Sequence, residues 1–81
     1  MPTFMDVHEG MHVTPEQLAE AHAKDVEAQK GTGVNYKSYW LDSKAGKVFC
    51  LATGPSKEAV QAVHVKAGHP AHELYEVTEG Q

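Results

Sequence analysis

Local stop and start signals cut this chain into six short segments, and few folds accept segments of those kinds in that order. Thr14-Pro15-Glu16-Gln17 supplies a hydroxyl that can cap a helix, a proline at the first helical position and a glutamine at the third, which together make a capping box. The helix it opens is predicted to run to about Lys30, where Gly31-Thr32-Gly33 stops it. Gly54-Pro55-Ser56 closes a strand and caps a second helix, predicted from Ser56 to about Ala67 and ended by Gly68 and Pro70. Between the helices, Ser43-Lys44-Ala45-Gly46 separates Val34 to Asp42 from Lys47 to Thr53. These two runs are rich in aromatic and β-branched residues and read as a hairpin. Ahead of the first helix, Thr3 to His8 alternates, with Met5 and Val7 on one face and Phe4, Asp6 and His8 on the other. After the second helix, Leu74 to Val77 forms a last short strand, and Thr78 to Gln81 is expected to fray.

Strand, helix, strand, strand, helix, strand within 81 residues predicts an α+β fold, the ferredoxin-like βαββαβ sandwich. Its antiparallel four-stranded sheet would carry both helices on one face. At this length residues 1–81 are expected to form one domain. So small a domain commonly needs a disulfide, a metal or a partner chain. Cys50 is the single cysteine, so no intrachain disulfide can form, and Cys50 itself is expected to act as a small buried apolar residue. A metal, a partner, or both remain. The helix-free sheet face, expected to display Phe4 and aromatic residues of the second strand, would be an exposed apolar patch, which predicts a homodimer joined through that face.

The formal net charge of -4, from 11 acids against 7 bases, argues against a nucleic-acid partner, and the bases are scattered lysines with no arginine. No run approaches the roughly 20 apolar residues of a membrane span. Met1-Pro2-Thr3 does not open a basic and then apolar leader, so no membrane association is expected and the expected compartment is the cytoplasm. Gly31-Thr32-Gly33 follows a helix instead of opening one and lacks a third glycine, so it is not a phosphate-binding loop.

Six histidines, His8, His12, His22, His64, His69 and His72, are a biased usage that raises the question of a metal. In the expected topology the first strand ends, the hairpin turns and the second helix ends at one end of the sheet. All but His22 should therefore gather there, with Asp6 and several glutamates nearby as oxygen donors. Imidazole accepts divalent nickel, copper and zinc alike, and a mixed imidazole and carboxylate set suits an octahedral or tetragonal ion such as nickel(II) or copper(II) better than a sulfur-rich tetrahedral zinc site, which one cysteine cannot build. On the first helix Leu18, His22, Asp25 and Gln29 share one inward stripe. Buried polar groups need partners, so His22 and Asp25 should hydrogen-bond each other, a ligand or a strand. The candidate metal ligands are thus His8, His22, Asp25, His64, Asp6, His12, His69 and His72. Against ligation, His12, His69 and His72 taken singly read as solvated loop residues, and His22 with Asp25 reads equally well as a pair pinning the helix.

Phe4-Met5-Asp6-Val7-His8, Leu18-x3-His22-x2-Asp25, Tyr39-Trp40 with Asp42, Val48-Phe49-Cys50-Leu51, Val63-His64 and Glu76-Val77 together carry a resemblance over nearly the whole chain. The chain resembles a family of small actinobacterial-type nickel-binding proteins of ferredoxin-like fold. That resemblance implies a dimeric cytosolic protein whose cavities between sheets hold nickel through imidazole, carboxylate and water, with no established reaction. It bears most directly on His8, His22, Asp25 and His64. Two other functions compete with metal binding. One is an enzyme of the dimeric α/β barrel type, using a sheet cavity lined by Asp6, His8, Trp40 and Cys50. The other is an interaction module whose histidines stay dispersed and solvated. An enzyme needs a base or nucleophile within reach of a substrate pocket, whereas a metal site needs three or more ligand atoms converging at about 2.1 Å from one point.

Overall fold

The elements form where the local signals put them, as β1 (Thr3–His8), α1 (Pro15–Ala28), β2 (Asn35–Asp42), β3 (Lys47–Thr53), α2 (Lys57–Ala67) and β4 (Glu73–Val77). The computed structural model describes residues 1–80; of the expected tail, 78–80 carry no regular structure and Gln81 lies outside the described residues. The capping box is made in full: Thr14 Oγ1 accepts from the Gln17 amide at 3.1 Å and Gln17 Oε1 accepts from the Thr14 amide at 2.9 Å. Helix α1 stops at Ala28, two residues short of the expected end, because the Gln29 side chain turns to the sheet and accepts the Tyr36 amide at 2.8 Å. Ser56 caps α2 by accepting from the Ala59 amide. Gly68 ends it in the left-handed region, at φ 93°, which a side chain would strain. That turn folds the chain back so that the His69 amide reaches the His64 carbonyl at 3.0 Å.

The sheet has the order β2-β3-β1-β4 with every neighbouring pair antiparallel, so the chain has the ferredoxin-like βαββαβ fold that its sequence predicts. A bulge between Tyr36 and Ser38 lets both Tyr36 and Tyr39 face the helices although they are three residues apart. The core lies between sheet and helices and includes Phe4, Leu18, Tyr36, Val48, Val60 and Val63. Among the described residues no helix is long and apolar enough to cross a membrane.

One expectation about the faces is corrected. Phe4 is only 2 % exposed and sits in the core, so it does not lie on the helix-free face. Register supplies the reason: Phe4, Asp6 and His8 stand opposite Ala52, Cys50 and Val48, whose small or branched side chains leave space beneath the helices. The helix-free face instead carries Met5, Phe49, Leu51, Trp40 and Tyr75, the last two 50 % and 48 % exposed. Trp40 therefore points away from Asp6, His8 and Cys50, and the cavity lined by all four that an enzyme reading required is not formed.

Candidate metal centre

Strand periodicity turns Asp6 and His8 to the same side, and the antiparallel register sets Cys50 directly across from Asp6. From above, α2 buries Val60, Val63 and His64, three positions on one helical face, so that an imidazole occupies a place an apolar side chain would normally fill. Asp25 descends from α1, and His69 follows from the turn after α2. Gln61 holds that turn by exchanging two hydrogen bonds with Ala71, and the His72 amide donates to the Val7 carbonyl.

These side chains form one connected series. His64 Nδ1 lies 2.7 Å from Asp25 Oδ1, which also meets His69 Nε2 at 2.9 Å. On its other side His64 Nε2 lies 2.8 Å from Asp6 Oδ2 and 3.3 Å from His8 Nε2. Asp6 Oδ2 also accepts from the Tyr36 hydroxyl at 3.2 Å. Asp6 Oδ1 is 3.2 Å from His8 Nε2 but out of line for a hydrogen bond, and it has no hydrogen-bond partner. Asp6 and His64 are fully buried, and Asp25 and His8 nearly so.

Burial and charge pull the titrations in opposite directions here. Burial would lower the His64 pKa, but hydrogen bonds to Asp25 and Asp6, reinforced by their charges, raise it to about 9. Burial would raise that of Asp6, and the hydrogen bond with His64 together with the His8 ring beside it more than offsets this, holding the carboxyl below its usual range. Burial, then the charges of Asp6 and Asp25, push the Tyr36 hydroxyl and the Cys50 thiol well up. In the metal-free chain at neutral pH, His64 is thus an imidazolium bridging two carboxylates.

The donors suit a metal ion. Two ligand atoms each about 2.1 Å from one ion, at roughly 90–110° to each other, stand about 3.0–3.4 Å apart. His8 Nε2 lies 3.3 Å from His64 Nε2 and 3.2 Å from Asp6 Oδ1, within that range, while the other carboxylate oxygen, Oδ2, stands slightly closer to His64 Nε2 at 2.8 Å. Asp6 Oδ1, buried and unpartnered, is an acceptor that an ion would satisfy. Among the described residues, two groups bring three or more donors within 4.8 Å of one another: Asp6, His8, Cys50 and His64, and Asp25, His64 and His69.

The remaining candidates lie apart from these two groups. His22 stacks on Tyr39 with ring centroids 4.7 Å apart, and its buried Nδ1 has no partner. It borders a chamber of about 20 Å³ that His8, Asp25, His69 and Cys50 also line, room for about one water molecule. Asp25 bonds to His64 and His69, so the hydrogen bond proposed between His22 and Asp25 is not the one it makes. His72 Nδ1 accepts from the Glu9 amide at 3.0 Å, and exposed His12 lies along the hairpin turn at Gly46. Cys50, read from sequence as an apolar filler, is buried as expected, yet its sulfur lies among the donors. Its place opposite Asp6 is the signal, and strand register was needed to find it.

A family model described as "Nickel responsive protein SCO4226-like" matches residues 4–77. Among solved structures, the chain is similar to SCO4226 from Streptomyces coelicolor A3(2), with 46 % sequence identity and a TM-score of 0.93; the match covers 98 % of this chain and 99 % of that one. No curated protein matches.

Proposed function

Since this chain belongs to the SCO4226-like family of nickel responsive proteins, we propose that it binds a divalent late transition metal, nickel(II) in the first place, for metal handling or buffering. The observation that carries the reading is the buried meeting of His8 Nε2, His64 Nε2 and the Asp6 carboxylate at ligand-to-ligand distances, with one carboxylate oxygen unpartnered. In this reading Asp6, His8 and His64 hold the ion. Asp25 acts one step further out. By accepting the Nδ1–H of His64 it fixes the ring orientation and leaves Nε2 facing Asp6 and His8, a carboxylate–histidine arrangement common around metals. His69, on the same oxygen of Asp25, is partly exposed and joins the buried donors to the surface. His22 borders the chamber beside them, and His12 and His72 lie outside this proposed set.

The same proposal takes the chain as one domain, working in the cytoplasm as a homodimer through its helix-free face. Met5, Phe49, Leu51, Trp40 and Tyr75 form an apolar patch there that a second copy would cover. The test of metal binding is elemental analysis of untagged protein purified without added metal, followed by calorimetric titration with nickel(II). A single nickel per chain is expected, with binding lost in His64→Ala. A wild-type chain that takes up no late transition metal at neutral pH would end this reading.

A further inference from the structure

We infer that Cys50 is the fourth ligand of this centre, binding as a thiolate beside Asp6, His8 and His64, so that the site takes thiophilic late metals in preference to hard cations. The inference rests on the metal-binding reading above and makes it more specific.

Four observations carry it. Asp6 and Cys50 are direct cross-strand partners on the helix-facing side of the sheet, which brings sulfur and carboxylate to one spot without any contribution from a loop. The Cys50 sulfur lies within 4.8 Å of the donor atoms of Asp6, His8 and His64. Sulfur at about 2.3 Å and nitrogen at about 2.1 Å on opposite sides of one ion span about 4.4 Å, so a bound of 4.8 Å is of the size a shared ion requires. Cys50 also borders the small chamber that His8, Asp25 and His69 line. Its neighbours along that face of β3, Val48 and Ala52, are apolar, and a third apolar residue would have filled the position without setting a sulfur against a carboxylate.

The step balances simply. A metal–sulfur bond forms as the S–H bond breaks, the proton leaves to solvent, and no oxidation state changes. Imidazole and carboxylate alone would hold many divalent ions, whereas a thiolate favours nickel(II), zinc(II) and copper(I) over magnesium, calcium and manganese.

The test adds nickel(II) or cobalt(II) alone to the wild-type chain and to Cys50→Ser and Cys50→Ala, reading near-ultraviolet absorption and affinity. The serine variant nearly keeps the shape of the buried side chain, and far-ultraviolet circular dichroism checks that both variants fold. Thiolate ligation predicts a charge-transfer band in wild type that both variants lack. It also predicts at least about a tenfold loss of affinity in both, since even outer partners of ligands cost that much. Stoichiometric nickel binding without the band, and with equal affinity in Cys50→Ser, would overturn the inference and leave the Asp6, His8 and His64 centre standing. No uptake of either ion by wild type would overturn both.

Discussion

His64 has both ring nitrogens committed, one to each of two carboxylates, and the chemistry of the centre depends on which of them carries a proton. If Asp25 serves by holding Nδ1–H, Asp25→Asn keeps an acceptor but loses the charge. Nickel affinity should then fall about 10–100-fold with stoichiometry unchanged. Calorimetry distinguishes this from His64→Ala, where binding should vanish. Acid and base act on the metal-free chain in calculable directions. The pKa of His64 is raised to about 9 from 6.5, so its contribution is fully present below about pH 6.5 and is lost as pH rises through about 9. That of Asp6 is depressed below 3.8, so its contribution is present above that value and is lost as pH falls through the depressed one. The metal-free chain should therefore be most stable between about pH 4 and 6.5. With nickel on Nε2 that proton is already gone. The fall in melting temperature above about pH 6.5 should disappear, and stabilisation by nickel should be absent near pH 5 and grow towards pH 9. Thermal melts with chelator and with saturating nickel check this; parallel pH profiles would argue that Nε2 keeps its proton.

At the scale of elements, α1 shows what local sequence carries and what it leaves out. Its start is written in neighbouring residues, as is the inward stripe of Leu18, His22, Asp25 and Gln29, while its end comes two residues early, where Gln29 turns to β2. The structure gives each polar member of that stripe a different fate: Gln29 binds the start of β2, Asp25 binds His64 and His69, and His22 leaves Nδ1 unpaired against Tyr39. Replacing that unpaired group by His22→Leu should leave metal-free stability level or raise it by about 1 kcal/mol, because no buried partner is abandoned. A fall in nickel stoichiometry in the same variant would add His22 to the ligands. Strand faces were less legible. Alternation in β1 sorts Phe4, Asp6 and His8 from Met5 and Val7, but a set holding two ionisable residues reads as the solvent side. Only pairing with Val48, Cys50 and Ala52 turns it inward. The same long-range register hid Cys50, while His64 was legible as one of a group because the topology brings the end of α2 to the end of β1.

For the whole molecule, the two sheet faces divide the work, with polar chemistry under the helices and an apolar surface on the other side. Trp40→Glu should turn a dimer into a monomer in sedimentation at micromolar concentration while leaving nickel per chain unchanged, since Trp40 and the centre lie on opposite faces. A monomeric wild type under those conditions would refute the proposed pairing. The series from Asp6 through His64 to Asp25 also joins parts of the chain that are made at different times: 58 positions separate Asp6 from His64, and 39 separate Asp25 from His64. A chain still being synthesised, with α2 inside the ribosome, offers Asp6, His8 and Asp25 without the ring that connects them. In the proposed reading, loading would then wait until α2 has emerged and packed, and nickel held at this centre would mark a chain whose second helix has already docked on the sheet.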